Sequence, residues 1–282
     1  MKKQLGPLFV FLSAVLFSLG GVLIDKIPWQ PLSINGCRTM ISALFLICYL
    51  KISKHKFVFN KSVLLGAAFM CLEMNTYVIA NKMTTAANTI VLQYTAPIFI
   101  ILFMLIFFKV KPTKLDLIAT AVVLGGIVCV LLDSLGGGRI AGDLVAILSG
   151  VFYAGVFMLD TFPGGDALSS VILGHSISAL VGLPFLVQET DFSTKVILLA
   201  LALGVFQVGF AYIFFTEGIK RTEPVAASLI AGIEPILNPI LAAIFANQMM
   251  SPMAIVGAVI VIGAVAVYNL LKAKADAKKE AE

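Results

Sequence analysis

Apolar stretches of about twenty residues follow one another almost without pause along this chain, and they decide what it can fold into. At about 1.5 Å of rise per residue, a twenty-residue helix covers the roughly 30 Å of a bilayer's hydrocarbon core. Ten such segments are expected, near 6–25, 31–50, 62–81, 85–108, 114–132, 141–160, 166–187, 194–216, 223–245 and 252–271. A soluble domain of 282 residues has no use for 60% hydrophobic and only 12% charged sequence, so the composition predicts an all-α membrane protein.

The first segment follows Met1, Lys2 and Lys3, as in a signal peptide, but it is too long and has no small-x-small site before Asp25 and Lys26, so it is expected to stay as a span. Cys37, Cys48, Cys71 and Cys129 fall singly inside spans, which predicts small core residues and neither a disulfide nor a metal framework. Trp29, between the first two spans, reads as an interfacial anchor. With the N-terminus inside, the basic clusters at 2–3, 51–61, 109–114, 220–221 and 272–279 place fifteen lysines and arginines on the cytoplasmic side. Four, Lys26, Lys82, Arg139 and Lys195, lie outside, and Arg38 sits within a span. That imbalance predicts both termini inside, at the cytoplasmic (inner) membrane of the cell. The net charge of +5 then follows from topology and gives no reason to expect nucleic acid.

The loops are too short for a soluble domain, so function is expected within the membrane. Residues 80–97 align without a gap against 218–235, an offset of 138 that pairs Lys82 with Lys220, Thr84 with Thr222, Pro97 with Pro235 and, further on, Gly125 with Gly263. Near the same offset, Leu12 to Phe17 aligns with Leu148 to Tyr153. Two copies of a five-span unit are predicted, residues 1–136 and 137–282, joined around Leu135 to Arg139. Five is odd, so the second copy inserts upside down, which is the architecture of secondary transporters with a site near the midplane.

Several residues now carry a family resemblance: Leu32 to Arg38 in span two, Ala80 and Gly218 closing spans three and eight, and Glu234-Pro235 in span nine. With the 5+5 repeat, the chain resembles the EamA family of the drug/metabolite transporter superfamily. The resemblance implies inverted bundles around a central cavity that alternate between inward-open and outward-open states, exporting amino acids or other small metabolites without a cofactor. The first copy departs from the pattern, with Ala96 before Pro97.

Proline lacks the N–H that would bond the carbonyl four residues back. Pro97 therefore frees the carbonyl of Gln93, Pro235 that of Ala231, and Pro239 that of Pro235. Open backbone at membrane depth survives only where protein or a watery cavity satisfies it, so the matched breaks mark either a site or simple kinks. Glu73 costs about 2.5–3.5 kcal/mol at a helix centre and needs a use or a partner. Arg38, about 3 Å away along the membrane normal, is one candidate partner. The preferred alternative has Glu73 facing the cavity as a proton carrier or an anchor for a substrate ammonium, with Tyr77 on the same face. Glu234 either shapes the break or binds substrate. His175 is expected neutral and bonded to a carbonyl, or else in a proton relay. Gln93 and Tyr94 lie on the broken fourth span, and Tyr153 and Tyr212 on spans that the resemblance places around the cavity. These rings either cup an apolar group or a cation, or simply pack. Ala121 to Gly125 is expected to allow close helix approach.

No H-E-x-x-H, no G-x-S-x-G and no pair of intramembrane aspartates is present, so an enzyme is not expected. The expected function is secondary active export of a small metabolite such as an amino acid, with protons carried through Glu73. An exporter or importer of organic cations or drug-like amines, and a passive channel-like pore, are the alternatives.

Overall fold

A computed structural model describes residues 5–24, 26–84, 86–132, 140–237, 240–241 and 251–281, and among these every regular element is helical. The helices are α1 (Leu5–Ile24), α2 (Pro31–Ile52), α3 (Lys61–Met83), α4 (Ala86–Gln93), α5 (Ala96–Phe107), α6 (Lys114–Leu131), α7 (Ile140–Phe157), α8 (Ala167–Leu186), α9 (Thr194–Ala202), a π-helical stretch (Leu203–Phe210), α10 (Ala211–Ile219), α11 (Pro224–Ala231) and α12 (Pro252–Ala281). Among the described residues seven helical runs are long and apolar enough to cross a membrane, and Leu5–Gly20 and Pro224–Leu237 are shorter apolar helices. Polar residues mark where helices start. Asn60 accepts from the Val63 N–H, Asp166 from the Ser169 N–H, and Thr113 with Asp116 forms a reciprocal capping box at α6.

Packing repeats between the halves. The segment joining the proposed copies, 135–139, lies outside the described residues, but the helices on either side correspond in order. Exchanging the halves turns the α3–α7 contact into α10–α1, α3–α8 into the π-stretch on α2, and α4–α7 into α11–α1, while α2–α8 and α6–α12 map onto themselves. The self-paired helices run antiparallel. At one end of α2, the Gln30 N–H donates to Glu189 Oε1 (3.0 Å) and Trp29 Nε1 to the Asp191 carbonyl (2.8 Å) beyond α8. At the other, His55 Nε2 meets Asp166 Oδ2 at 2.8 Å and the Val58 N–H donates to Ser169 Oγ before and within the start of α8. Between them, a Cβ on Gly36 would lie 2.7 Å from Gly182 Cα, so the α2–α8 crossing requires glycine. At α6 and α12, Tyr268 donates to Asp116 Oδ1 (2.7 Å), and Lys272 Nζ bridges Asp116 (3.6 Å) and Glu223 (2.7 Å).

Three expectations change. Trp29 is 7% exposed and bonded to the backbone of Asp191, with its ring against Phe192, so it pins two loops together and does not stand in the lipid interface. The close approach on α6 comes at Gly126, where a Cβ would meet Val261 at 2.6 Å, whereas Gly125 and its repeat mate Gly263 have nothing within 4 Å. Span eight is not one plain α-helix: Gly204 and Gly209 lie against Ile41 and Phe45 of α2, and the backbone between them takes the wide turns of a π-helix. Such stretches commonly mark functional positions. The four cysteines are free, and among the described residues no group of three or more histidine, cysteine, aspartate or glutamate side chains is placed to hold a metal.

Candidate functional site

Both paired prolines break their helices at equivalent places. The first break is the turn at Tyr94 and Thr95 between α4 and α5, and the second is the turn at Gly232 and Ile233 after α11, again 138 residues on. Pro97 lies in the first turn of α5, where a missing N–H costs least. Helix α7 presses on the first break through Gly150, whose Cβ would stand 2.9 Å from the Gln93 carbonyl oxygen. The first break therefore keeps its freed carbonyl against glycine backbone.

At the second break the freed carbonyl of Ala231 finds a donor across the molecule. The Tyr94 hydroxyl donates to it, shared between Ala231 O at 2.9 Å and Glu234 Oε2 at 2.7 Å. One break thus satisfies the other. The Tyr153 ring meets Tyr94 edge-on with centroids 6.0 Å apart, and the aromatic chain continues through Phe157 and Phe215 to Tyr212.

Glu73 is 7% exposed and belongs to the same centre. Gln93 Nε2 donates to Glu73 Oε1 (2.7 Å) and to Ser149 Oγ (3.0 Å), tying α3 and α7 to the residue just before the first break. The candidate pair between Glu73 and Arg38, the less favoured of the two readings, does not form among the described residues. Arg38 turns back onto its own helix, with Nε and Nη2 donating to Asn35 Oδ1 at 3.1 and 3.0 Å. Tyr77 is half-buried on α3 one turn beyond Glu73. Asn75 points away, donating to Ser178 Oγ on α8.

His175 is fully buried, but its partner is a hydroxyl and not a carbonyl: Nδ1 and Ser42 Oγ are 3.1 Å apart. Its ring meets Tyr212 edge-on at 4.7 Å. The structure therefore gathers Glu73, Gln93, Tyr94, Tyr153 and Glu234 about the breaks, and Arg38, His175 and Tyr212 about α2 and α8. Pro239 lies outside the described residues.

Asn35, Ser42 and Ser149 were not singled out by the sequence, although a signal was present. The run Ile41 to Leu44 recurs as Ile177 to Leu180, which matches Ser42 with Ser178, and both serines hold polar partners between helices. Ser149 lies within the aligned segments of spans one and six opposite Ser13, and both are buried.

Comparison with known proteins agrees with this architecture. The EamA-like transporter family matches residues 4–132 and again 140–270, one match for each half. An uncharacterized transporter of Clostridium kluyveri (strain ATCC 8527 / DSM 555 / NBRC 12016 / NCIMB 10680 / K1) is 27% identical over 309 residues, spanning all of this chain and 98% of the relative. The uncharacterized transporter YwfM of Bacillus subtilis (strain 168) is 27% identical over 274 residues, covering 91% of each. A crystal structure at 18% identity superposes with a TM-score of 0.83 over 95% of this chain and 98% of that one, a likeness of fold. A repeated helical bundle with its polar groups gathered at two matched breaks, recognised in both halves, makes the chain a multi-pass membrane protein that belongs to the EamA-like transporter family.

Proposed function

We propose that this chain is a ten-span secondary transporter with both termini inside, whose halves 1–136 and 137–282 are inverted copies. It moves a small metabolite such as an amino acid outward across the cytoplasmic membrane by alternating access. The antiparallel run of the equivalent helices α2 and α8, and of α6 and α12, supports the inversion. The observation that carries the site is Glu73, a buried carboxyl that makes no ion pair among the described residues and is bonded through Gln93 to the first break. Such a group holds a proton or a substrate ammonium, one at a time. Competition between the two at one carboxyl couples their movements, since each ligand shifts the equilibrium only by its differential affinity for the two states.

The second reading, transport of an organic cation, is favoured by one observation: Glu234 accepts from the hydroxyl of Tyr94, whose ring meets Tyr153 edge-on, so a carboxyl and two aromatic rings are gathered in a setting that suits cations. Purified protein in proteoliposomes tests the carrier itself. Unlabelled solute trapped inside should accelerate entry of the labelled solute, since exchange acceleration belongs to carriers. Uptake insensitive to trapped solute would mean a passive pore.

A further inference from the structure

Arg38 is the least explained group in the molecule. It is 8% exposed on a membrane-spanning helix, and among the described residues its side-chain hydrogen bonds end on the neutral amide oxygen of Asn35. Among the described residues, no ion pair reaches it. A buried cation is costly unless an anion meets it, and here the protein supplies none in contact. Around it stand further groups with nothing to bond. Asn35 is 1% exposed, and its Nδ2 has no partner. His175 is fully buried with Nε2 unpartnered, while its Nδ1 lies 3.1 Å from Ser42 Oγ.

These groups share one place. Asn35, Arg38 and Ser42 are spaced i, i+3 and i+7, on one face of α2. Ser42 holds His175, the His175 ring touches Tyr212, and Arg38 interacts electrostatically with both Tyr212 and His175. Glu73, Tyr77 and Glu234 also lie within the field of the guanidinium without contacting it. Planar guanidinium and amide donors suit a carboxylate, which accepts at two oxygens.

We infer that Arg38, Asn35 and His175 form an anion subsite that takes the carboxylate of the transported solute, while Glu73 takes its ammonium. The solute is therefore zwitterionic, of the amino-acid class, and not an organic cation. This rests on the transporter reading, but it fails separately from it.

The test uses the purified full-length protein and its melting temperature. Ligands are the L-amino acids, each beside its carboxamide, which keeps the ammonium and loses the carboxylate, together with butyrate and butylamine. At least one amino acid should raise the melting temperature saturably, and its carboxamide should need at least about ten times the concentration, the scale of losing a charge-assisted bidentate contact. Arg38→Lys should weaken the acid by about tenfold or more while the protein still melts cooperatively, and Asn35→Ala should weaken it less. Butyrate should stabilise wild type and Glu73→Gln alike. A carboxamide or butylamine that stabilises as well as the acids, or a panel in which no carboxylate stabilises, overturns the subsite. Accelerated exchange of an amine, with carboxylates inert, would leave the carrier standing and remove only the subsite.

Discussion

The two helix breaks start from the same backbone chemistry and end differently. After Pro97 the freed carbonyl of Gln93 is closed over by glycine, while the side chain of Gln93 reaches out to Glu73 and Ser149. After Pro235 the freed carbonyl of Ala231 is bonded by Tyr94, a residue of the first break, beside Glu234. The first half supplies Glu73, Gln93 and Tyr94, whereas the second half has Ala211, Ala231 and Gly232 at those positions. Where the first half has a regular helix carrying Glu73, the second has the π-stretch that ends at Phe210, just before Ala211. A repeated scaffold fixes where a site lies. Divergence of one copy decides what it contains.

That contrast is sharpest at Gly150, whose counterpart beside the second break is Ala14, fully buried. Gly150→Ala should cost about 1–3 kcal/mol by overpacking against the Gln93 and Leu92 carbonyls, whereas Ala14→Gly should cost about 0.5–1 kcal/mol through backbone entropy. Equal shifts in melting temperature would erase the difference between the breaks. Tyr94→Phe should cost a comparable or somewhat smaller amount, about 1–3 kcal/mol, because it leaves the Ala231 carbonyl and Glu234 without their donor. Val in place of Thr95, whose hydroxyl bonds only the local Leu92 carbonyl, should cost about 0.5–1.5 kcal/mol. Denaturation of the paired variants in detergent orders these values.

Next in size are the prolines themselves. Pro97→Ala restores an N–H toward the Gln93 carbonyl, which the proline freed, so it should stabilise the protein by about 1 kcal/mol and slow transport by stiffening the break. Pro235→Ala should change stability less, because Ala231 is already served by Tyr94. The reverse order would mean that the first break is not the open one.

A further asymmetry, confined to a narrow pH window, comes from Asp160, in the loop after α7, where the first half has Ile24. Burial pushes its carboxyl up to about 6, despite the Ala167 N–H donating to Oδ1. An acid whose folded value lies above its unfolded value of about 3.9 holds its proton more tightly when folded. Its contribution is therefore most favourable below pH 4 and declines as pH rises from 4 to 6. Asp160→Asn keeps the acceptor and removes the charge, so it should flatten that decline and raise stability at pH 7 by on the order of 1 kcal/mol. A melting profile unchanged across that window would contradict this.

Much of the fold was legible because hydropathy and proline act locally. Most of the apolar runs, the 138-residue offset and the matched breaks at Pro97 and Pro235 correspond to described structure. The π-stretch was not legible, since Gly204 and Gly209 become informative only once Ile41 and Phe45 are known to lie against them. Side-chain pairing was the weakest inference. Depth along the normal put Arg38 and Glu73 at similar levels, but depth does not fix azimuth, and Asn35 and Gln93 stand closer to them. His55 and its partner Asp166 are 111 residues apart, a pairing that no local pattern in the sequence reveals.

The most direct measurement compares two activities of Glu73→Gln in the same proteoliposomes. If Glu73 carries the coupled proton, uptake driven by a pH gradient falls to background while exchange of solute against solute persists, because glutamine still accepts from Gln93 but cannot release a proton. Gradient-driven uptake at the wild-type rate in Glu73→Gln would contradict the assignment.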